Sequence, residues 1–79
     1  MNFQSVPPIK NVETEAYCKK MSREYLNLLK KYTEGSTEFI RERMKLSERM
    51  MEWLLDRNLV RWEQIAIAER VKYLATKAA

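Results

Sequence analysis

FIRERMKLSERMMEWLL, residues 39–55, is the stretch of sequence on which the fold depends most. On a helical wheel at about 100° per residue, its apolar side chains cover roughly 200° of the circumference. A helix that packs on a single core needs an apolar stripe only a little wider than about 100°. The stretch therefore predicts a helix with too much apolar surface for one neighbour. It is either the middle helix of a bundle or a helix that also contacts another chain.

The apolar residues of this helix divide into a central face and a flank. The neighbouring helices of the chain are expected to cover the central face, which comprises Ile40, Met44, Met51, Leu54 and Leu55. The flank comprises Phe39, Leu46, Met50 and Trp53. Methionine-rich surfaces adapt well to partners, and tryptophan is frequent among the residues that dominate binding energies. The flank is therefore predicted to contact a partner.

The residues before this stretch predict a helix from about 12 to 32. Asn11 is a good N-cap, and Glu13 and Glu15 lie in the first turn, where the helix dipole favours acidic side chains. Spacings of three and four place a set of apolar residues on one side, predicted to be core: Tyr17, Met21, Tyr25, Leu28 and Tyr32. Gly35, the only glycine, is predicted to have a positive φ where this helix ends.

The second helix is expected to begin after a cap at Ser36 or Thr37 and to cover about residues 37–57. Asn58 is predicted to end it, because asparagine adopts the left-handed conformation of a helix stop more readily than most residues. A third helix is then expected over about residues 60–77. No glycine or proline enforces this break, so one continuous helix from Thr37 to Ala75 is the alternative.

The third helix carries apolar residues on two opposite sides. The first side comprises Val60, Ile67, Val71, Leu74 and Ala78, and the second comprises Trp62, Ile65, Ala66 and Tyr73. Charged residues, among them Arg70, separate the two sides. The second side adds Trp62, Ile65 and Tyr73 to the predicted partner interface.

Residues 1–10 are predicted to form an extended tail, because Pro7 and Pro8 favour polyproline geometry. Residues 11–79 are predicted to form a single helical domain. One glycine and two prolines are too few turn-forming residues for a multi-stranded sheet. The expected fold is thus an all-α three-helix bundle with an extended N-terminal tail.

A chain of 79 residues makes a marginally stable domain, because folding at this size buries only about 60% of the unfolded surface. Small folds are usually supplemented by disulfides, a metal or oligomerisation. One cysteine and no histidine exclude an intramolecular disulfide and argue against a zinc site. Oligomerisation remains, so a homodimer is predicted.

The sequence shows no apolar run near the roughly 20 residues of a membrane span, and its first ten residues do not resemble a signal peptide. A single free cysteine suits a reducing compartment. We therefore expect a cytoplasmic protein that does not contact the membrane.

The residue types that enzymes commonly use are scarce in this chain. There is no histidine, Cys18 has no evident base beside it, and one glycine cannot form a phosphate-binding loop. No catalytic residue, cofactor or metal is therefore predicted, and Cys18 is expected in or near the core. Glu48, Glu52 and Asp56, spaced four apart, could share a divalent cation, but a solvated face is the favoured interpretation.

The basic charge of the chain permits a nucleic-acid partner. The net charge is +4 and the isoelectric point about 9.4. One side of the first helix carries the possible nucleic-acid contacts Lys19, Lys20, Arg23, Lys30 and Lys31. A helix-turn-helix with the third helix as the reader is also possible, but Trp62, Ile65 and Tyr73 occupy a face where base edges need donors and acceptors.

The sequence thus favours a small non-catalytic protein-interaction module, an adaptor or inhibitor of a larger protein, that acts as a homodimer. The alternative is a small basic nucleic-acid-binding transcriptional regulator. The predicted partner interface comprises Phe39, Leu46, Met50, Trp53, Trp62, Ile65 and Tyr73. One dimer hypothesis lays the second helix antiparallel on its own copy, which pairs Arg41 with Asp56, Lys45 with Glu52, and Arg49 with Glu48.

Overall fold

The computed structural model describes residues 6–78, which form three helices and no strand. Helix α1 covers Val12–Lys31, α2 covers Thr37–Asp56 and α3 covers Arg61–Ala78. Every predicted helix boundary lies within one residue of the observed one, and the all-α three-helix bundle is confirmed. Residues 6–10 are not helical, and residues 1–5 of the predicted tail lie outside the described residues.

Side-chain caps explain where the helices begin. The Asn11 Oδ1 atom accepts a hydrogen bond of 3.0 Å from the Thr14 N–H. At α2 the Ser36 Oγ atom accepts a hydrogen bond of 3.2 Å from the Phe39 N–H. Asn11 is thus the cap that the sequence predicted, and Ser36, rather than Thr37, is the cap of α2. These caps satisfy amide donors that have no acceptor inside the helix.

A tight turn reverses the chain between α1 and α2. The Ser36 N–H donates a hydrogen bond of 3.0 Å to the Thr33 carbonyl, and Gly35 has the predicted positive φ, 90°. Since α1 already ends at Lys31, Gly35 belongs to this turn and not to the helix end itself. A third turn residue with positive φ is what a type II turn requires.

Asn58 separates α2 from α3 as predicted. Its φ is 54°, and its N–H donates a hydrogen bond of 3.1 Å to the Leu55 carbonyl. The Leu59 N–H reaches back to the Leu54 carbonyl at 3.3 Å. These two bonds form a Schellman motif, which closes a helix with a left-handed residue. The alternative of one continuous helix is therefore wrong.

Helix α1, and not α2, is the middle helix of the bundle. It packs against both α3 and α2, whereas α2 and α3 contact each other much less. Cys18 on α1 and Ala75 on α3 are small and almost completely buried, which suits a close approach of helices. Of the two alternatives for α2, the middle position is therefore wrong, because α1 is the helix that packs closely against both of the others.

Candidate interaction surface

The structure reverses the predicted roles of the two apolar faces of α2. Phe39 and Leu46, predicted to contact a partner, are only 3% and 4% exposed and lie in the core. The residues that remain exposed come from the face predicted to be core: Ile40, Met44, Met51 and Leu55. We call these four residues the outer strip. Of the predicted central face, Leu54 alone is buried.

Aromatic contacts with α1 determine the rotation of α2 about its own axis, and hence which of its faces is buried. The Tyr17 ring stacks on Trp53 with centroids 3.9 Å apart and planes 5° apart. Tyr25 meets Phe39 edge to face at 6.5 Å. The Arg57 guanidinium lies 3.9 Å from the Trp53 centroid, so the indole is held between a phenol ring and a cation. Trp53 is half-buried, and both faces of its indole contact residues of the same chain. Its assignment to a partner interface stays a prediction.

Ion pairs between α1 and α2 hold the same rotation. Arg49 pairs with Glu24, and Arg57 pairs with Glu13. The hydrogen bond that Arg49 donates to the Glu24 carboxylate raises the pKa of Arg49 above its ordinary value. Arg49 already has a partner within the chain, and Leu46 is buried. Both observations disfavour the antiparallel register in which Arg49 pairs with Glu48 of a second copy, and that register stays a prediction.

The other predicted interface residues differ in exposure. Trp62 is 71% exposed and Ile65 is 48% exposed. Met50 and Tyr73 are half-buried, and the Tyr73 ring lies 5.8 Å from both the Arg70 guanidinium and the Lys77 ammonium. Trp62 and Ile65 thus remain available to a partner.

An open groove runs between α2 and α3, beside the outer strip. Its volume is about 370 Å³, and its lining comprises Ser47, Met50, Met51, Leu54, Arg61, Gln64, Ile65 and Ala68. Met51 belongs to both the groove and the strip. Because Ile65 of α3 lines the same groove, it lies at the edge of the strip. The strip and the groove together make one surface that is mainly apolar.

A buried ion pair, which sequence analysis missed, lies where α1, α3 and the N-terminal segment meet. Arg70 is 7% exposed, and its Nη2 atom donates a hydrogen bond of 2.7 Å to Glu15 Oε2. Its Nη1 atom donates to the Val6 carbonyl at 2.9 Å, and the Ile9 N–H donates to Glu15 Oε1 at 3.0 Å. These bonds fasten the N-terminal segment to both helices.

The electrostatics of this pair indicate a structural role. Hydrogen bonds from Arg70 lower the pKa of Glu15 below its ordinary value, and those bonds raise the pKa of Arg70. Both groups therefore stay charged near neutral pH. Within residues 6–78 no buried side-chain nitrogen or oxygen lacks a hydrogen-bond partner. Neither group is thus poised to exchange a proton with a substrate.

Cys18 is completely buried, as its predicted place in the core requires. Burial raises the pKa of its thiol to about 11. The side chain is consequently a neutral thiol near neutral pH, and it lacks the thiolate character that a nucleophile needs.

The predicted basic stripe of α1 faces solvent along the whole helix. All five of its side chains are exposed: Lys19, Lys20, Arg23, Lys30 and Lys31. Within the described residues none of them forms a salt bridge. Lys30 and Lys31 lie in the last turn, where positive charge is favourable to the helix dipole.

Comparisons with family models, with curated proteins and with solved structures found no match to this chain. Among residues 6–78, no helix has both the length and the apolar character needed to cross a lipid bilayer.

Proposed function

We propose that this chain is a small non-catalytic protein–protein interaction module, an adaptor or inhibitor of a larger protein, that acts as a homodimer. The observation that carries the proposal is the outer strip. Its four large apolar side chains are 45–61% exposed and lie along one side of a single helix. Single exposed apolar residues are common, but a contiguous apolar patch is typical of an interaction site.

The energetics of the strip support a macromolecular partner. Complete burial of one side chain of this kind contributes about 1.5–3 kcal/mol. Four such side chains lie about half-exposed beside an open groove, so a helix that covers them removes a substantial apolar area from water. A domain of 79 residues, which has a small core of its own, gains stability from the same contact.

The environments of the buried thiol and the buried ion pair support a non-catalytic role. Cys18 is a buried neutral thiol, and Glu15 and Arg70 satisfy each other in the interior. The free thiol of Cys18 also supports our proposal of a cytoplasmic location, because cysteines stay reduced in that compartment.

Photo-crosslinking in the native host tests the proposal. A photoreactive amino acid replaces Met44 in the outer strip, and the same amino acid replaces Lys20, which is exposed on α1, as the control. Irradiation is expected to give covalent protein adducts from position 44 and few from position 20. Absence of any adduct from position 44 contradicts the proposal.

The basic stripe of α1 favours a second candidate function, binding of nucleic acid. Five exposed cations without an intrachain ion pair are available to phosphates. Binding to duplex DNA should then weaken steeply as salt is raised, and the double variant Lys20→Gln, Arg23→Gln should reduce that salt dependence. No detectable binding at low salt removes this candidate.

A further inference from the structure

The outer strip has the spacing of a coiled-coil seam. Ile40, Met44, Ser47 and Met51 follow one another at steps of four, three and four residues, and Leu55 continues the row. All five side chains are exposed. Alternation of three and four residues keeps a row of side chains facing a neighbouring helix. The surface therefore suits a helix that lies along α2, and the small Ser47 allows close approach near its middle.

Charged residues follow the edge of the strip that faces away from α3. The first half of α2 has Arg41 at this edge and Lys45 next to it on the side of α1, and the second half has Glu48 at the edge and Glu52 next to it. In the described part of the chain Arg41, Glu48 and Glu52 form no salt bridge, and Lys45 contacts only Glu42 of its own helix, at 3.1 Å. An edge that is basic in one half and acidic in the other is complementary to an antiparallel copy of itself.

We infer that the outer strip is covered by the outer strip of a second copy, with the two α2 helices antiparallel about a two-fold axis that passes between Leu46 and Ser47. The inference rests on the proposed function and names its partner and its contact. A two-fold axis requires a surface that complements itself, which the strip and its charged edge do together.

This axis places opposite charges level with each other. Arg41 of one copy lies level with Glu52 of the other, and Lys45 lies level with Glu48. The rotation brings the same edge of both helices together, so each pair occurs twice in the dimer. On an ideal helix Arg41 and Glu52 lie about 70–90° from the middle of the strip, where they flank the apolar contact.

The apolar side chains interleave at the same register. Ile40 of one copy falls between Met51 and Leu55 of the other, and Met51 falls between Ile40 and Met44. Such interleaving is the knobs-into-holes packing that coiled coils use. Charge and packing thus select one register, and it differs from any arrangement that uses the buried Leu46 or the half-buried Trp53.

A charge exchange between the two copies tests the inference with the purified full chain. Arg41→Glu creates two repulsive pairs in a homodimer, and Glu52→Arg does the same, so each variant should raise the dissociation constant of the dimer about tenfold. In an equimolar mixture of the two variants, the mixed dimer has both pairs opposite in sign. Sedimentation analysis should therefore show that the mixture dimerises about as tightly as the parent.

Two features make this result specific to the proposed register. Residues 41 and 52 are eleven positions apart, about 16 Å along one helix, so rescue in the mixture cannot arise within a chain. Lys20→Glu makes the same change in charge on the exposed side of α1 and should leave the dissociation constant unchanged.

The outcomes separate this inference from the proposed function. A monomeric parent overturns the inference, and a dimeric parent without rescue in the mixture overturns it as well. In either case photo-crosslinks from position 44 to a different protein leave the protein-interaction module standing, and a monomeric parent removes only its homodimer. Absence of all crosslinks from that position, together with a monomeric parent, removes both.

Discussion

Two regions of this molecule reverse the usual distribution of polar and apolar side chains. Where α1, α3 and the N-terminal segment meet, the charged Arg70 is only 7% exposed. On the outer side of α2, the apolar Met44 and Leu55 are 57% and 61% exposed. The first region places a cation inside, and the second places large apolar side chains outside.

The difference between the regions is that the first is complete within one chain. Arg70 donates hydrogen bonds to the Glu15 carboxylate and to the Val6 carbonyl, so its charge is neutralised where it is buried. Within residues 6–78 nothing covers the outer strip in the way that Glu15 and Val6 surround Arg70, since α1 covers only the opposite face of α2. A buried charge whose hydrogen-bond partners lie in the same chain indicates a structural role, whereas an uncovered row of apolar side chains indicates an interface.

The largest expected effect comes from removing Arg70, the cation of the buried ion pair with Glu15. Arg70→Met leaves the Glu15 carboxylate buried without its partner and takes a donor from the Val6 carbonyl. The free energy of unfolding should fall by about 3–5 kcal/mol, because an unpaired charge in a buried site is strongly unfavourable. Chemical denaturation measures the loss.

Arg49→Met is the matched control for this prediction. It removes the same kind of side chain from the pair with Glu24, where the arginine side chain is 56% exposed. Water solvates the remaining carboxylate, so the expected loss is about 0–1 kcal/mol. Equal losses from the two variants would show that burial does not distinguish the two pairs.

A leucine pair on α2 tests the contrast between its inner face and its outer strip. Leu46 is 4% exposed and Leu55 is 61% exposed. Leu46→Ala should lower the free energy of unfolding by about 2–5 kcal/mol, because it leaves a cavity in the core. Leu55→Ala should change it by about 0.5 kcal/mol or less.

These two variants are compared at a protein concentration low enough that monomers predominate, because dimerisation adds to the measured stability. A loss from Leu55→Ala as large as that from Leu46→Ala would mean that the outer strip is packed within the chain. The rotation of α2 described here would then be wrong.

Local signals in the sequence predicted the helices well. Asn11 accepts the hydrogen bond of an N-cap, and Asn58 adopts the left-handed conformation of a helix stop. Such effects depend on a few consecutive residues, so they are present in the sequence itself. The boundaries of all three helices could therefore be predicted without knowledge of tertiary contacts.

The rotation of α2 could not be predicted in the same way. Its apolar arc of about 200° contains two faces, and helical periodicity does not say which of them meets the neighbour. The choice depends on long-range contacts, namely the stacking of Trp53 on Tyr17 and the pairing of Arg49 with Glu24. Aromatic residues on one side of each helix were the available signal.

Arg70 illustrates the same limit for charged residues. The pattern of α3 indicated only that Arg70 is one of the charged residues separating its two apolar sides. This residue lies among core residues because Glu15, 55 positions earlier in the chain, neutralises it. The signal was its position three residues after Ile67 and directly before Val71, both of which are buried. Pattern alone did not identify the partner.

Acid should weaken the buried ion pair of Arg70 and Glu15, because protonation removes the negative charge of Glu15. Hydrogen bonds from Arg70 lower the pKa of Glu15 in the folded state below its ordinary value, which applies in the unfolded chain. Between these two values the unfolded chain binds more protons, so stability increases with pH there. The contribution is present above the unfolded pKa and is lost as the pH falls through the folded pKa.

Denaturation measured as a function of pH checks this sign. In Glu15→Gln the slope of stability against pH on the acid side should be smaller than in the parent. Arg70→Met should flatten the same part of the curve, since it removes the main cause of the lowered pKa. An unchanged slope in Glu15→Gln would contradict the assignment.

An effect smaller than those of Arg70→Met and Leu46→Ala is expected at Gly35, in the turn that leads from α1 into α2. Its φ is 90°, and a Cβ atom added there would meet no atom within 4 Å apart from those of its two chain neighbours. A substitution at this position therefore adds backbone strain and no steric clash. Gly35→Val should lower the free energy of unfolding by about 1–2 kcal/mol, the difference between left-handed and right-handed backbone for a residue with a side chain.

This strain should leave both regions of the comparison intact, because no contact of α2 with α1 involves Gly35. Fluorescence of Trp53 in a Trp62→Phe background reports its stacking on Tyr17 and should be the same in Gly35→Val as in that background alone. Gly35→Asn should lose less stability than the valine variant, since asparagine tolerates positive φ better. Equal stability of the parent and the valine variant would contradict the positive φ. A changed Trp53 signal would instead show that this turn determines which face of α2 meets α1.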